Sequence, residues 1–112
     1  MTNNSETQDS EKYIQEMQFL EQNLQNLLMQ KQAFQIEVTE TQSALKEIDT
    51  AKDDVYKIVG SLMLKTEKAK LKEELTNKEK LLELRLKTLE KQEGNFTQKL
   101  EELREKVMKS IK

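Results

Sequence analysis

The sequence predicts a mainly α fold, a long antiparallel two-helix coiled coil with a central β-hairpin. Three observations lead to this prediction. The 112 residues include two glycines and no proline, so few positions interrupt a helix. Apolar residues recur at alternating steps of three and four in both the first and the last part of the chain, which is typical of coiled-coil helices. Between these parts lies a short run of β-branched and aromatic residues around a glycine, which is typical of a hairpin.

The first helix is predicted over residues 10–52, and a disordered N-terminal tail is expected over the polar residues 1–9. Nine of the eleven positions of its 3.5-residue repeat are apolar, and Gln and Glu between them keep the outer face polar. The repeat consists of Tyr13, Met17, Leu20, Leu24, Leu27, Lys31, Phe34, Val38, Thr41, Leu45 and Ile48.

The second helix is predicted over residues 67–111, with Thr66 as its N-cap. Eight of its ten repeat positions are apolar. We call the repeat positions of the two helices together the seam. Those of the second helix are Leu75, Glu79, Leu82, Leu86, Leu89, Glu93, Phe96, Leu100, Leu103 and Val107.

Two helices of similar length joined by a short middle are expected to pair antiparallel, which makes residues 10–112 a single domain. Counting outward from the middle places Phe34 at the level of Leu86. Lys31 then lies within one turn of Glu90 and Glu93. We expect an ion pair there, because Lys31 can reach one of these carboxylates. A polar residue in a coiled-coil seam typically fixes the register of the helices.

The middle of the chain is predicted to form a hairpin over residues 55–65, with Gly60 at the first position of a type II′ turn. Val55, Val59 and Met63 are expected on one face. The run could fold back onto the root of the coiled coil, or it could join hairpins of other chains. Assembly is favoured, because two helix ends cannot cover so many apolar groups. The predicted assembly residues are Val55, Tyr56, Ile58, Val59, Gly60, Leu62, Met63 and Leu64.

Composition excludes several classes of function. The chain has no cysteine and no histidine, so disulfides, thiolate chemistry and the common zinc sites are absent. The run from Gly60 to Thr66 lacks the second glycine of a P-loop. We expect no catalytic residues, no metal and no cofactor.

Charge and hydropathy bear on partners and compartment. Residues 1–50 carry three basic against nine acidic residues, and residues 51–112 carry sixteen basic against twelve acidic. The second part mixes both signs throughout, which disfavours nucleic-acid binding. No apolar stretch reaches the roughly 18 residues of a membrane span, and residues 1–10 lack the apolar region of a secretory signal. We therefore expect a cytoplasmic protein with no membrane or nucleic-acid partner.

The run VYKIVGSLMLKTEKAKLKEEL at residues 55–75, followed by LELRLKTLEKQE at residues 82–93, resembles the β-type subunit of the prefoldin family. The resemblance implies a heterohexamer of two α-type and four β-type subunits whose hairpins form an inter-subunit β-barrel platform. It further implies an ATP-independent chaperone that captures unfolded or nascent proteins and delivers them to the group II chaperonin.

The resemblance also implies that clients bind at the ends of the coiled-coil arms. Near the chain ends, apolar residues do occur beyond the seam, and methionine suits a surface that accepts many partners. The alternative function is a structural coiled-coil scaffold or tether without client binding. We call the predicted client-binding residues the tip residues; they are Tyr13, Ile14, Met17, Phe19, Val107, Met108 and Ile111.

Overall fold

The computed structural model describes the backbone of residues 4–111 and the side chains of residues 8–110. Helix α1 spans Asn4–Thr50, strand β1 spans Val55–Val59, strand β2 spans Leu62–Thr66, and helix α2 spans Lys68–Ile111. The two strands pair antiparallel in a two-stranded sheet. The predicted fold class, mainly α with two long helices and a central hairpin, is confirmed.

The chain divides into two compact units. The terminal unit comprises residues 1–31 and 88–112, and the hairpin unit comprises residues 32–87. Helical segments from both ends of the chain pair in the first unit, and the hairpin with its adjoining helical segments forms the second.

Helix α1 differs from its predicted bounds at both ends. It begins at Asn4 instead of residue 10, so residues 4–9 are helical where a disordered tail was expected; residues 1–3 lie outside the described residues. The segment contains no glycine or proline that would stop the helix. At the other end α1 stops at Thr50, two residues before the predicted end. There Thr50 Oγ1 donates to the carbonyl of Glu47 at 3.2 Å, and the amide of Ala51 donates to the carbonyl of Ile48 at 3.3 Å. These bonds satisfy carbonyls that the helix end leaves free.

Helix α2 begins one residue later than predicted. Thr66 was expected to cap the helix, but it is the last residue of β2 and pairs with Val55. Glu67 therefore precedes the first helical residue, and its carbonyl accepts a 3.0 Å hydrogen bond from the amide of Leu71. That acceptor geometry is the usual one for an N-cap residue.

In the terminal unit the helical segments run antiparallel. The hydroxyls of Ser10 and Ser110 are hydrogen-bonded, and Lys31 pairs with Glu93 farther along. A residue with a higher number in α1 thus meets a lower number in α2. The side chains of Leu27, Leu89, Leu100 and Leu103 are buried between the segments.

The hairpin unit has the same antiparallel order. The guanidinium of Arg85 lies 5.9 Å from the centre of the Phe34 ring, and Asp49 pairs with Lys72. Arg85 is adjacent to Leu86, the residue predicted at the level of Phe34, so the predicted register is confirmed. This unit buries Ile48, Leu82 and Thr41. The Thr41 hydroxyl is satisfied because it donates to the carbonyl of Glu37 at 2.7 Å.

The hairpin has the predicted two-residue loop. Gly60 has a φ of 61° and is followed by a residue with negative φ, as a type II′ turn requires. Strand pairing joins Val59 to Leu62 and Ile58 to Met63. Directly paired residues share a face, so Met63 lies with Ile58 and not with Val55 and Val59 as predicted. The pairing register, which alternates faces along each strand, decides this.

We name the two hairpin faces after their central residues. The Ile58 face carries Tyr56, Ile58, Met63 and Lys65. The Val59 face carries Val55, Lys57, Val59, Leu62, Leu64 and Thr66.

Candidate functional site

The hairpin exposes apolar side chains on both of its faces. On the Ile58 face, Ile58 is 70% and Met63 67% exposed; on the Val59 face, Leu62 is 62% exposed. A single two-stranded sheet has no second layer to cover either face, and it is marginal in water by itself. Six of the eight predicted assembly residues are exposed in this way, all except Val55 and Gly60. The six are Tyr56, Ile58, Val59, Leu62, Met63 and Leu64.

The hairpin also has two open strand edges, because no third strand pairs with β1 or β2 within residues 4–111. Each edge presents backbone donors and acceptors that another strand can satisfy. Exposed apolar faces and open edges together suit the addition of strands from other chains.

One ion pair connects the hairpin to α2, and another connects it to the residue that precedes β1. Lys57 Nζ lies 2.9 Å from Glu74 Oε2, and Lys65 Nζ lies 3.2 Å from Asp54 Oδ2. The hydrogen bond from Lys57, together with its charge, lowers the pKa of Glu74. All four side chains are largely exposed, so these pairs orient the hairpin without contributing much stability.

The carboxyl end of α1 is held by α2. Lys68 Nζ donates to the carbonyls of Asp49 and Ala51 at 3.4 Å and 3.1 Å, and it satisfies groups that the helix end leaves free. Lys72 Nζ lies 2.7 Å from Asp49 Oδ1. This hydrogen bond and the charge of Lys72 lower the pKa of Asp49. These contacts place the start of β1 beside the first turns of α2.

An apolar pocket of about 450 Å³ lies where the hairpin meets the two helices. We call it the root pocket. Apolar and aromatic residues provide most of its lining, and polar atoms, including the carboxylate of Glu47, provide the rest. The lining residues include Ala44, Glu47 and Ile48 of α1, Val55 and Tyr56 of β1, and Leu71 of α2.

The tip residues fall into two groups in the terminal unit. Tyr13, Met17 and Val107 are half-buried in the seam, whereas Phe19 is 69% and Met108 59% exposed. Ile14 belongs with the exposed group, and the side chain of Ile111 lies outside the described residues. The structure therefore separates tip residues that hold the helices together from those that face solvent.

Two of the half-buried tip residues, Tyr13 and Val107, take part in contacts that close this end of the helix pair. Lys106 Nζ lies 5.6 Å from the centre of the Tyr13 ring, within the range of a cation–π contact. The Ser110 hydroxyl donates to the carbonyl of Val107 at 3.0 Å, so Ser10 is the donor in its hydrogen bond to Ser110.

The exposed ring of Phe19 borders a groove of about 300 Å³, which we call the tip groove. Leucine side chains form the apolar part of the groove, and two carboxylates and two ammonium groups stand at its margins. Such a surface offers apolar contact to a partner while its charges keep the groove hydrated. The residues around it are Glu16, Phe19, Leu20, Lys99, Glu102, Leu103 and Lys106.

The seam contains the predicted ion pair. Lys31 Nζ lies 3.0 Å from Glu93 Oε2, and both side chains are only partly exposed. This hydrogen bond raises the pKa of Lys31, and the charges of Glu93 and Glu90 act in the same direction. The expectation that Lys31 would find a carboxylate in this register is confirmed.

Several exposed apolar residues and groove residues were not predicted as functional. Leu28 and Met29 in the terminal unit, and Ile36 and Leu81 in the hairpin unit, are exposed off the seam. Their signal was present in the sequence, because each is an apolar residue at a heptad position that does not face the partner helix. The margins of the tip groove had no such signal, since Lys99 and Glu102 are indistinguishable from other surface charges.

Two kinds of site are absent from the described part of the chain. No group of three or more acidic residues within it is arranged to hold a metal ion. Neither helix, over the residues described, contains an apolar segment that could cross a bilayer.

A family profile described as prefoldin subunit matches residues 11–112, nearly the whole chain. The chain belongs to the prefoldin family. Prefoldin subunit beta of Thermococcus onnurineus is 44% identical over 94 residues, which cover 82% of this chain and 81% of that protein. Prefoldin subunit beta of Methanothrix thermoacetophila is 39% identical over 100 residues, covering 88% and 83%.

The fold agrees with a solved prefoldin structure. The crystal structure of the prefoldin beta subunit from Thermococcus strain KS-1 superposes with a TM-score of 0.84 at 38% identity, covering 90% of each chain. The resemblance to the β-type subunit predicted from residues 55–75 and 82–93 is thus confirmed. As a member of this family, the chain is a non-enzymatic chaperone component that assembles with other prefoldin subunits.

Proposed function

We propose that this chain is a cytoplasmic prefoldin β-type subunit that captures unfolded or nascent proteins without ATP and delivers them to the group II chaperonin. The observation that carries the proposal is the distribution of exposed apolar side chains. The hairpin carries a continuous run of them, and Ile14, Phe19 and Met108 expose three more near the chain ends, while the seam between the helices is covered. Surfaces of this kind on a polar chain mark contacts with other proteins.

The hairpin is the proposed assembly site. Its two open edges and two apolar faces support strand addition by other subunits, with the α-type subunit as partner in a hexamer of two α-type and four β-type chains. Burying side chains such as Ile58 and Leu62 in a shared barrel would supply the apolar layer that the hairpin lacks by itself.

The terminal unit is the proposed client-binding site. Phe19 and Met108 offer apolar surface, and Ile14 adds to it; the tip groove beside Phe19 provides concave surface. Tyr13, Met17 and Val107 are half-buried and would become available to a client if the helix pair opened at this end; Ile111 belongs to the same proposed site. Weak apolar contact without directional chemistry suits binding of many unfolded sequences.

Truncation of the tips tests client capture. Removing residues 1–19 together with 105–112 should abolish suppression of aggregation of a chemically denatured client, measured by light scattering without nucleotide. A matched variant, Phe19→Ser with Met108→Ser, removes apolar surface while keeping both helices complete, and it should weaken suppression in the same direction. Assembly, measured by solution mass, should persist in both.

The result also separates a chaperone from a structural scaffold. A scaffold would show no suppression of aggregation even as the complete protein, and truncation would then change nothing. A truncated protein that assembles and still protects clients would overturn the assignment of the tip residues.

Substitution Ile58→Asp tests the assembly site. A carboxylate buried among apolar hairpin side chains without a partner should prevent association with other subunits. Solution mass with and without an α-type subunit measures the effect, and Leu81→Asp on the exposed outer face of α2 is the control. Formation of a normal hexamer by the Ile58 variant would contradict the hairpin proposal.

A further inference from the structure

We propose that the root pocket binds the Ile58 face of the hairpin of a second copy of this chain. This inference rests on the proposed function, because it requires that hairpins of different subunits meet. It goes further in naming which hairpin face is engaged, what receives it, and which subunit supplies it.

The pocket is continuous with the hairpin. The first two residues of β1 line it: Val55 belongs to the Val59 face and Tyr56 to the Ile58 face. Ile58 follows two residues along the same strand, a distance of about 6.6 Å at the usual rise. The pocket therefore lies at the helix end of the Ile58 face, next to a hairpin that is laid along that face.

The size and chemistry of the pocket fit a side chain from such a hairpin. Its volume of about 450 Å³ has room for a long apolar side chain, and the larger part of its walls is apolar. Met63 and Ile58, at 67% and 70% exposed, are the most exposed apolar groups of the hairpin. Methionine adapts its shape to irregular apolar space.

Charge complementarity supports the hairpin of a second copy as the occupant. The carboxylate of Glu47 stands in the pocket wall and has no basic partner among the residues described. Residues 55–66 contain two lysines and no acidic residue, and Lys65 lies on the Ile58 face two residues beyond Met63. Seating Met63 in the pocket of another copy brings Lys65 toward Glu47. The pair that Lys65 makes with Asp54 is exposed and therefore readily exchanged.

Directed cross-linking tests the contact, because the natural chain contains no cysteine. Ala44→Cys subunits and Met63→Cys subunits, tagged to differ in mass, are mixed with an α-type subunit, allowed to assemble and treated with a mild oxidant. We expect the mixed disulfide dimer as the main cross-linked product. The matched control replaces Ala44→Cys by Ala33→Cys, an exposed position on the same helix, and should yield little mixed dimer.

A charge exchange gives an independent measurement. Glu47→Lys and Lys65→Glu should each weaken association, and a mixture of the two single variants should recover affinity by about tenfold. Recovery in the mixture supports the contact. A mixture that associates no more tightly than the single variants contradicts it.

The outcomes separate this inference from the proposed function. If Ile58→Asp prevents assembly but Ala44→Cys cross-links to nothing or only to the α-type subunit, the hairpin platform stands and the second-copy contact is overturned. If Ile58→Asp assembles normally, the platform itself is wrong.

Discussion

The seam and the hairpin use similar apolar residues in opposite ways. In the hairpin unit, Leu82 of the seam is 5% exposed, whereas Leu62 of the hairpin is 62% exposed. A helix satisfies its own backbone hydrogen bonds, so two helices need only share one apolar stripe to become stable. A two-stranded sheet leaves edges and faces open, so it needs other chains. The difference shows which apolar groups serve folding of the chain and which serve contact.

Truncating one leucine in the seam and one in the hairpin tests this difference most directly. Leu82→Ala should lower the free energy of unfolding of the isolated chain by about 2–5 kcal/mol, because it opens a cavity in the seam. Leu62→Ala should lower it by less than about 1 kcal/mol, since the side chain is 62% exposed and loses mainly its cross-strand contact with Val59. Urea unfolding followed by circular dichroism measures both. Equal losses would contradict the distinction.

The two glycines test the regions at the level of the backbone. Gly60→Ala should destabilise the hairpin by roughly 1–2 kcal/mol, because alanine is strained at a φ of 61°. Gly94→Ala should stabilise α2 by about 1 kcal/mol, because a helical glycine costs conformational entropy. A Cβ at either position meets nothing within 4 Å, so neither alanine clashes with a neighbouring atom. Thermal unfolding of the two variants should shift in opposite directions.

Replacing the polar seam residue Lys31 should change thermal stability by a smaller amount. Lys31→Leu should raise the midpoint of thermal unfolding modestly, because an apolar side chain fills a partly buried seam position and Glu93 keeps access to water. Pairing should become less specific, since the ion pair no longer marks one register. Cysteine cross-linking between α1 and α2 at matched and shifted positions measures register. A variant that is neither more stable nor less specific in register would contradict the function assigned to Lys31.

The smallest expected effect is on acid stability. The pKa values of Asp49 and Glu74 are lowered in the folded chain, so their contribution is present at neutral pH and is lost as the pH falls below about 4 through their folded values. Asp49→Asn with Glu74→Gln should therefore be slightly less stable at pH 7 and should lose less stability between pH 5 and pH 2. Added salt should reduce the difference, because both pairs are exposed. Identical acid profiles would show that the pairs contribute nothing.

The seam was predictable almost residue by residue. Every predicted position from Tyr13 to Ile48 is buried or half-buried, including the polar Lys31 and Thr41. Periodicity carries this information because each helical residue is rotated by a constant angle, so the sequence spacing defines which side chains face the partner. The hairpin and its turn were predictable for a similar reason, since Gly60 supplies the one conformation that a tight turn needs.

The faces of the hairpin and the ends of the helices were less predictable. Met63 is predicted with Val59, although the predicted two-residue loop pairs Val59 with Leu62 and so already places Met63 opposite Ile58. Thr66 was expected to cap α2, yet pairing with Val55 extends β2 through it. The end of β2 depends on hydrogen bonds between segments, which local residue preferences do not contain, whereas the face of Met63 follows from the turn.

The sequence by itself determined the two helices, their antiparallel seam, the hairpin between them and the resemblance to prefoldin β-type subunits, because each depends on spacing along one chain. Only the tertiary structure decided that Phe19 borders a groove with Lys99 and that Tyr56, Ala44 and Leu71 surround a pocket beside the hairpin. Grooves and pockets form where side chains from different segments meet. Their shape depends on distances between segments, and no residue pattern within one segment specifies those distances.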